Sequence, residues 1–249
     1  NLKEIKKISN KIGAFLIEDA AHALGSKFIS KNKQYFIGDC KYSDFSVFSF
    51  HPVKAITTGE GGMITFNNKK YCEKIYSLRS HGIFKKSTDK LWLYDQKFLS
   101  SNFRMSDINC ALGISQLDKL KKFVSHRRKI AEYYEYYLKK INIYNIIEPV
   151  KELQFSYSSF HLFLVKINFK KIKITRDKLM RTLLKNNIST QVHYIPIYNH
   201  SYYRKLKYKK LPNTELYYES CLSLPLNYLM KKNDVKLICE NLKFVISNN

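Results

Sequence analysis

The sequence has 249 residues, enough for one large domain and a smaller one, and its hydrophobic (45%) and aromatic (14%) fractions are those of a folded globule. It contains no apolar run long enough to span a bilayer and no signal-peptide pattern, which predicts a cytoplasmic protein without a membrane partner. The net charge is +24, but 37 of the 44 basic residues are lysines spread along the whole chain. This distribution is typical of solvated lysines, so nucleic acid is not expected as the main partner.

The first half of the chain carries all eight glycines, since none follows Gly113, and it alternates short apolar strands with helices. This pattern predicts an α/β domain with a largely parallel sheet over residues 1–125. The first strand is apolar throughout and is expected to be buried. The predicted elements are an amphipathic helix at the N-terminus, strands at Ala14–Ile17, Asp44–Phe50 and Met63–Phe66, and helices at Tyr71–Arg79 and Ser106–Lys122.

The second half, residues 126–249, lacks glycine and is rich in aromatic residues and helical spacing. It is expected to form a small α+β domain, entered through a long helix. The predicted elements are helices at Val124–Lys140, Arg176–Asn186 and Asp234–Val245, a strand at Phe160–Ile167 and an extended piece at Gln191–Tyr194.

The five cysteines are scattered and show neither CxxC nor any other paired metal-ligand spacing. We therefore expect reduced thiols, no disulfide framework and no metal site. The cysteines are Cys40, Cys72, Cys110, Cys221 and Cys239.

Asp19 follows the first predicted strand directly, in the segment Glu18–Ser26 (EDAAHALGS). An acid at the carboxyl end of a strand in an open α/β sheet lies where ligands bind. Aspartate before Ala-Ala is also a good helix N-cap, so a capping role is the competing interpretation.

Lys54 lies in a second unusual segment, Ser49–Gly62 (SFHPVKAITTGEGG), between an apolar strand and a glycine-rich turn. Any one of the 37 lysines is by default a solvated surface group. A lysine held in this setting is placed to meet a bound carbonyl, and partial burial lowers the pKa of its amine, as Schiff-base lysines require. The turn is not a Walker loop, because it lacks the GxxxxGK pattern.

Together, the segments Glu18–Ser26 and Ser49–Gly62 resemble, in order and spacing, the two cofactor signatures of the DegT/DnrJ/EryC1/StrS family of sugar aminotransferases. The resemblance covers nearly the whole chain and is therefore stronger than a single motif. Further matching segments are Leu78–Gly82, Ser101–Asp107, Ala111–Gly113 and Gln191–Tyr194.

The resemblance implies the α/β fold of the fold-type-I transferases that depend on pyridoxal phosphate. Residues 1–125 are then the C-terminal portion of the cofactor-binding large domain, and residues 126–249 are the small domain. Family members carry a long segment before the first strand, whereas thirteen residues precede Ala14 here. The N-terminal part of the large domain is thus expected to be missing, and this chain alone is expected to be poorly soluble and inactive.

The resemblance also implies roles for individual residues. Lys54 holds pyridoxal phosphate as a Schiff base and moves the substrate proton, while Asp19 pairs with the pyridine nitrogen. His22 lies against the cofactor ring, and Ser49 binds the phosphate. Asn102 reaches the phosphate of the neighbouring subunit, since family members are homodimers with shared active sites. For His22, a structural role in the core is the competing interpretation.

The implied reaction moves an amino group from glutamate to C4 of a UDP-linked 4-keto-6-deoxy sugar, as in the branch of the family that serves pseudaminic acid biosynthesis. Arg104, His193 and Tyr194 are the candidate substrate-binding residues, with an ion pair or plain packing as the competing role. Some family members are dehydratases that lack the Schiff-base lysine, and Lys54 argues against that chemistry. An inactive truncated member that acts as a binding or regulatory protein is the alternative function, and nucleic-acid binding is the third.

Overall fold

The computed structural model describes residues 1–85, 90–206 and 208–248. The chain divides into two compact units. The first unit comprises residues 1–121 together with 155–157, and the second comprises residues 122–154 and those from 158 onward. The assignment of these units to a cofactor-binding domain and a small domain stays a prediction.

The described strands are at most five residues long in both units, and the two longest described helices, of 21 and 16 residues, lie largely in the second unit. The described strands are β1 (Ile17–Asp19), β2 (Lys27–Ser30), β3 (Lys33–Phe36), β4 (Phe45–Ser49), β5 (Gly62–Thr65), β6 (Ile83–Lys85), β7 (Tyr94–Gln96), β8 (Ile147–Pro149), β9 (Ser156–Tyr157), β10 (Phe163–Ile167) and β11 (Cys221–Leu224). The described α-helices are α1 (Leu2–Lys11), α2 (Cys72–Arg79), α3 (Asp107–Leu117), α4 (Leu120–Lys140), α5 (Phe169–Ile172), α6 (Arg176–Lys185), α7 (Ser201–Arg204), α8 (Pro212–Ser220) and α9 (Lys232–Ser247).

The sheet that carries the candidate site is built from β1, β4 and β5, in that order. Strand β4 pairs with β1 in parallel and with β5 in antiparallel orientation. Strand β1 begins at Ile17, three residues later than its apolar run. Just before it, the backbone N–H of Leu16 donates to the Asp44 carboxylate at 2.8 Å, and the N–H of Asp44 donates to the oxygen of Leu16 at 2.8 Å. The expected burial of β1 is wrong for Ile17, whose side chain is 59% exposed.

A hairpin of β2 and β3 lies between β1 and β4 in the chain and was not predicted from the sequence. Its two-residue turn consists of Lys31 and Asn32, with φ angles of 50° and 59°. Positive φ at both central positions is typical of a type I′ turn, which usually contains Asn-Gly. Without a glycine, the sequence signal for this turn was weak.

The second unit is organised around the antiparallel sheet β11-β10-β8, against which α4 packs. Helix α4 presents Ile130, Tyr134 and Leu138 to the core at a spacing of four residues, and each of the three is fully buried. The Tyr134 ring stacks on Phe163 of β10 at a centroid distance of 4.5 Å, and its hydroxyl donates to the backbone oxygen of Pro225 at 2.7 Å. One tyrosine thus joins the helix to the sheet and to the segment that follows β11.

None of the helices in the described part of the chain combines the length and the apolar composition that a membrane crossing requires.

Replacing Tyr134 by phenylalanine removes only the hydroxyl. The free energy of unfolding is expected to fall by about 1 kcal/mol, because the Pro225 carbonyl loses its donor while the stacked ring remains. Chemical denaturation of the purified protein measures this change. Tyr136→Phe on the same helix is the matched control, since Tyr136 is 51% exposed and should show almost no effect. Equal stability losses in the two variants would contradict the role given to the buried hydroxyl.

Candidate active site

Parallel pairing places Asp19 and Ser49 on one face of the sheet. Asp19 stands beside Val47 in register, and Ser49 lies two residues further along β4. Because side chains alternate between the faces of a strand, Asp19, Val47 and Ser49 all point to the same side. Both polar residues also lie at the carboxyl ends of their strands, where ligands bind in open α/β sheets.

The opposite face holds a separate polar cluster around Glu18. Its carboxylate accepts hydrogen bonds from the hydroxyls of Ser43 and Ser46, the latter at 3.0 Å. Ser46 is completely buried. Glu18 and Asp19 therefore point to opposite faces of the sheet, and only Asp19 lies on the face that carries Ser49.

Asp19 is exposed, and its Oδ1 accepts a hydrogen bond from the backbone N–H of Ala21 at 3.1 Å. This bond is the one expected of a cap, but the residues that follow form turns instead of a helix. Asp19 therefore does not cap a helix, and the N-cap interpretation is wrong. His22 lies in the same turn and is half-buried.

Lys54 lies in a loop whose two ends are joined by backbone hydrogen bonds. The N–H of Phe50 donates to the oxygen of Gly61 at 2.8 Å, and the N–H of Thr58 donates back to the oxygen of Phe50 at 3.0 Å. Within the loop, the N–H of Lys54 donates to the oxygen of His51 at 2.9 Å. The amine is thus carried by a closed loop that starts at the end of β4, directly beyond Ser49.

The electrostatic environment of Lys54 has two opposing parts. Partial burial lowers the pKa of its amine below the usual lysine range. The Asp19 carboxylate acts in the opposite direction and raises that pKa, but by less than burial lowers it. Asp19 and Lys54 are therefore near enough to interact, and the structure brings together three of the predicted residues: Asp19, Ser49 and Lys54.

Helix α3 supports the Lys54 loop through residues to which the sequence assigned no role. The side-chain amide of Asn109 donates to the backbone oxygen of Thr58, which is only 1% exposed. Gly113 lies one turn further along α3, and a Cβ atom at this position would stand 2.8 Å from the Thr58 methyl carbon. Gly113 could have been noticed from the sequence, since it belongs to the segment Ala111–Gly113 that resembles the family. No sequence pattern pointed to Asn109.

Asn102 and Arg104 are exposed side chains that follow β7 in the first unit. The Asn102 side chain accepts a hydrogen bond from the backbone N–H of Arg104 at 3.1 Å, and its backbone bridges to Ser80. In the described part of the chain, no hydrogen bond or ion pair joins either residue to Asp19, Ser49 or Lys54. Their roles at the phosphate and the substrate stay predictions.

His193 and Tyr194 belong to the second unit. His193 is half-buried, with its Nδ1 2.9 Å from the hydroxyl of Ser223, and its backbone oxygen accepts from the Tyr217 hydroxyl at 3.1 Å. Tyr194 is 60% exposed, and its ring meets that of His193 edge-on at a centroid distance of 4.6 Å. Sequence reasoning singled out this pair but missed Ser223 and Tyr217, which hold it in place.

Comparison with known proteins relates nearly the whole chain to one family. Residues 1–243 match the model of the DegT/DnrJ/EryC1/StrS aminotransferase family. The UDP-4-amino-4,6-dideoxy-N-acetyl-beta-L-altrosamine transaminase of Campylobacter jejuni is 39% identical over 242 residues, which cover 97% of this chain and 61% of that protein. The chain therefore spans about three fifths of the length of the curated relatives it matches.

Alignment with solved structures relates the fold of this chain to aminotransferases as well. Helicobacter pylori PseC, an aminotransferase involved in the biosynthesis of pseudoaminic acid, aligns with a TM-score of 0.88 at 30% identity, covering all of this chain and 64% of that one. The PLP-form of Spr1654 from Streptococcus pneumoniae aligns with a TM-score of 0.81 at 27% identity, covering 94% of this chain and 58% of that one. These alignments confirm the predicted α/β fold class.

Replacing Asp19 by asparagine tests the electrostatic link to Lys54. The carboxylate raises the pKa of the Lys54 amine, so its removal should lower that pKa further and increase the neutral fraction at a given pH. Competitive acylation across a pH series, read for each lysine by mass spectrometry, measures the shift. Glu60→Gln, in the exposed part of the same loop, is the matched control. A Lys54 titration that stays the same or moves upward in Asp19→Asn would contradict the link.

Replacing Gly113 by alanine tests the packing of α3 on the loop. Alanine improves helix propensity by about 1 kcal/mol, whereas overpacking a buried contact costs about 1–3 kcal/mol, so a net loss of stability is expected. The displaced Thr58 should also shift the Lys54 titration, which the same acylation experiment measures. Ser115→Ala, at an exposed position of α3, should change neither quantity. A more stable Gly113→Ala variant in which the pKa of Lys54 is unchanged would show that residue 113 and Thr58 are not in close contact.

Proposed function

Because the chain belongs to the DegT/DnrJ/EryC1/StrS aminotransferase family, we propose that it is a pyridoxal-phosphate-dependent aminotransferase that acts on a nucleotide-linked sugar. The amino donor is glutamate, and the acceptor is C4 of a UDP-linked 4-keto-6-deoxy sugar on a route of the pseudaminic acid type. The convergence of Asp19, Ser49 and Lys54 on one sheet edge carries this proposal, since it supplies the groups that the chemistry needs.

The side chains present fit pyridoxal phosphate. The cofactor requires an amine that is neutral near physiological pH, an acid for its pyridine nitrogen and hydrogen-bond donors for its phosphate. Burial lowers the pKa of the Lys54 amine, Asp19 offers an exposed carboxylate, and Ser49 offers a hydroxyl on the same face. When bound, the cofactor supplies an electron sink for the charge that develops at the substrate carbon.

Lys54 anchors the cofactor and then acts as the general base. Its depressed pKa favours the neutral amine, which takes the proton from the α-carbon of glutamate and later returns a proton to C4 of the sugar. Asp19 holds the proton on the pyridine nitrogen, since a carboxylate stabilises that positive charge. Ser49 donates its hydroxyl to the phosphate, and His22 lies against the ring.

The substrate-binding roles of three residues are part of the proposal. We assign His193 and Tyr194 to the sugar and Arg104 to the anionic part of the substrate. The diphosphate carries negative charge, and the protein has a net charge of +24, so the long-range field favours capture of the substrate. The proposal places the reaction in the cytoplasm, and all five cysteines of the chain are free thiols.

The proposed assembly is a homodimer in which Asn102 reaches the phosphate of the neighbouring subunit. The segment around Asn102 supports this, because Leu99 and Phe103 on either side of it are 97% and 69% exposed. Ile108 at the start of α3 and Trp92 before β7 are also largely exposed. Large exposed apolar side chains along one stretch of the chain are compatible with a protein interface there.

The proposal is tested by incubating the protein with pyridoxal phosphate, fixing any attached cofactor with borohydride and locating it by mass spectrometry. Attachment at Lys54 is expected in the wild type and should disappear in Lys54→Ala, whereas Lys69→Ala is the control that keeps it. Incubation of the complete protein with glutamate and UDP-linked 4-keto sugars should then yield a 4-amino sugar. Cofactor attachment without amination of any such sugar would contradict the substrate assignment. No attachment at Lys54 would favour the alternative, a family member that binds or regulates without catalysis.

A further inference from the structure

A cavity of about 320 Å³ lies in the second unit and is formed by one stretch of the chain. This stretch runs from the 3₁₀ turn Ile197–Asn199 through α7 towards α8. The volume is at the lower end of the range of about 300–1,000 Å³ that is typical of small-molecule sites. Two cations, two aromatic rings and one amide surround this space. The described residues that line the cavity are Tyr198, Asn199, Arg204, Tyr208 and Lys210.

The positive charge of the cavity is not neutralised by an acid. In the described part of the chain, the side chains of Arg204 and Lys210 make neither a hydrogen bond nor an ion pair. The local sequence accounts for this, because no Asp or Glu stands between Asp177 and Glu215, whereas the segment 203–210 contains five basic residues. Two unpaired cations at one cavity attract an anion with several charges. The guanidinium suits a phosphate group in particular, since it can donate two parallel hydrogen bonds.

The Tyr198 ring is held in place through its hydroxyl. The hydroxyl donates to the carboxylate of Glu215 on α8, and it accepts a hydrogen bond from the backbone N–H of Leu211 at 3.4 Å. These two contacts occupy the only proton of the hydroxyl and one of its lone pairs. What Tyr198 offers to a ligand is therefore mainly its ring, on which a planar base can stack.

Burial divides the lining into an uncharged part and a charged part. Tyr198 and Asn199 are half-buried, whereas the other three lining residues are exposed. Because removing an anion from water costs free energy, an anionic group belongs with the exposed cations and an uncharged planar group with the half-buried pair. The Asn199 amide makes no side-chain hydrogen bond in the described part of the chain and offers a donor and an acceptor side by side. The edge of a pyrimidine base presents the same two functions.

Helix α8 connects the cavity with the residues proposed to bind the sugar. Glu215 of this helix holds Tyr198. Tyr217 of the same helix donates its hydroxyl to the backbone oxygen of His193 at 3.1 Å. Tyr194 precedes Tyr198 by only four residues. The cavity and the pair of His193 and Tyr194 therefore belong to one local framework of the second unit.

We propose that the cavity binds the nucleoside diphosphate part of the substrate. Arg204 and Lys210 hold the diphosphate. The base stacks on Tyr198, and Asn199 pairs with the edge of the base. The link to a substrate rests on the proposed function, whereas binding of a free nucleoside diphosphate does not. The assignment is additional to the role proposed for Arg104 and independent of it.

The two cations are tested by calorimetric titration of the complete protein with UDP. The double variant Arg204→Gln, Lys210→Gln is expected to weaken binding roughly tenfold or more, because charged hydrogen bonds to the phosphates are lost. The double variant Lys205→Gln, Lys209→Gln is the matched control, since it removes the same charge from the same segment but not from the described lining. Its affinity should stay within about twofold of the wild type, because exposed charges are screened by salt. Equal weakening in the two double variants, or no binding of UDP to the wild type, would overturn the proposal.

The base contact is tested with a second probe, ribose 5-diphosphate, which is UDP without its base. UDP should bind the wild type more tightly than this probe. Tyr198→Leu should weaken UDP binding roughly fivefold to tenfold and leave ribose 5-diphosphate unchanged, which also shows that the cavity has kept its structure. Tyr198→Phe keeps the ring and should keep the preference for UDP. Tyr203→Leu, at a tyrosine outside the described lining, should have no effect.

The outcomes separate this site from the proposed function. Equal binding of the two probes by the wild type, or a preference for UDP that survives in Tyr198→Leu, would overturn the contact with the base. UDP binding that depends on Arg204 and Lys210, without amination of any UDP-linked 4-keto sugar, would support the cavity and contradict the proposed function. Amination of such a sugar, with UDP affinity unchanged in the Arg204→Gln, Lys210→Gln variant, would overturn the cavity and leave the proposed function standing.

Discussion

The parallel pairing of β1 with β4 is the constraint on which the candidate site depends. In this register Asp19 stands beside Val47, and Ser49 follows on the same face. A slip of one residue would exchange Asp19 for Glu18, whose carboxylate is already bonded to Ser43 and Ser46 on the other face. The register therefore decides which of two adjacent acids faces Lys54 and which one is used to hold the sheet together.

The second requirement is that the Lys54 amine is partly buried without forming a full ion pair. A free surface lysine would keep its usual pKa, and a full ion pair with Asp19 would raise it. The closed loop from Phe50 to Gly61 produces the intermediate situation, and α3 holds that loop through Asn109 and Thr58. The chemistry of one amine thus depends on a helix that begins more than fifty residues later in the chain.

The second unit shows the same relation between scaffold and functional group at His193. An apolar core of helices and an antiparallel sheet fixes β11, and β11 in turn fixes Ser223. Ser223 is buried, and its hydroxyl lies 2.9 Å from Nδ1 of His193 and 3.0 Å from the backbone oxygen of Gln191. Each unit therefore uses a short strand to position a candidate functional side chain.

The sequence by itself determined the elements with strong periodicity, such as α4 and β10, because apolar spacing is a local property of the chain. It also singled out Asp19 and Lys54 as candidate site residues, since each directly follows or precedes a recognisable strand or turn. Only the tertiary structure decided that Ile17 of β1 is exposed, that Lys31-Asn32 forms a hairpin turn, that Asn109 is bonded to the Lys54 loop, and that Ser223 contacts His193. These features depend on strand register and on contacts between residues far apart in the chain, and local sequence patterns do not encode them.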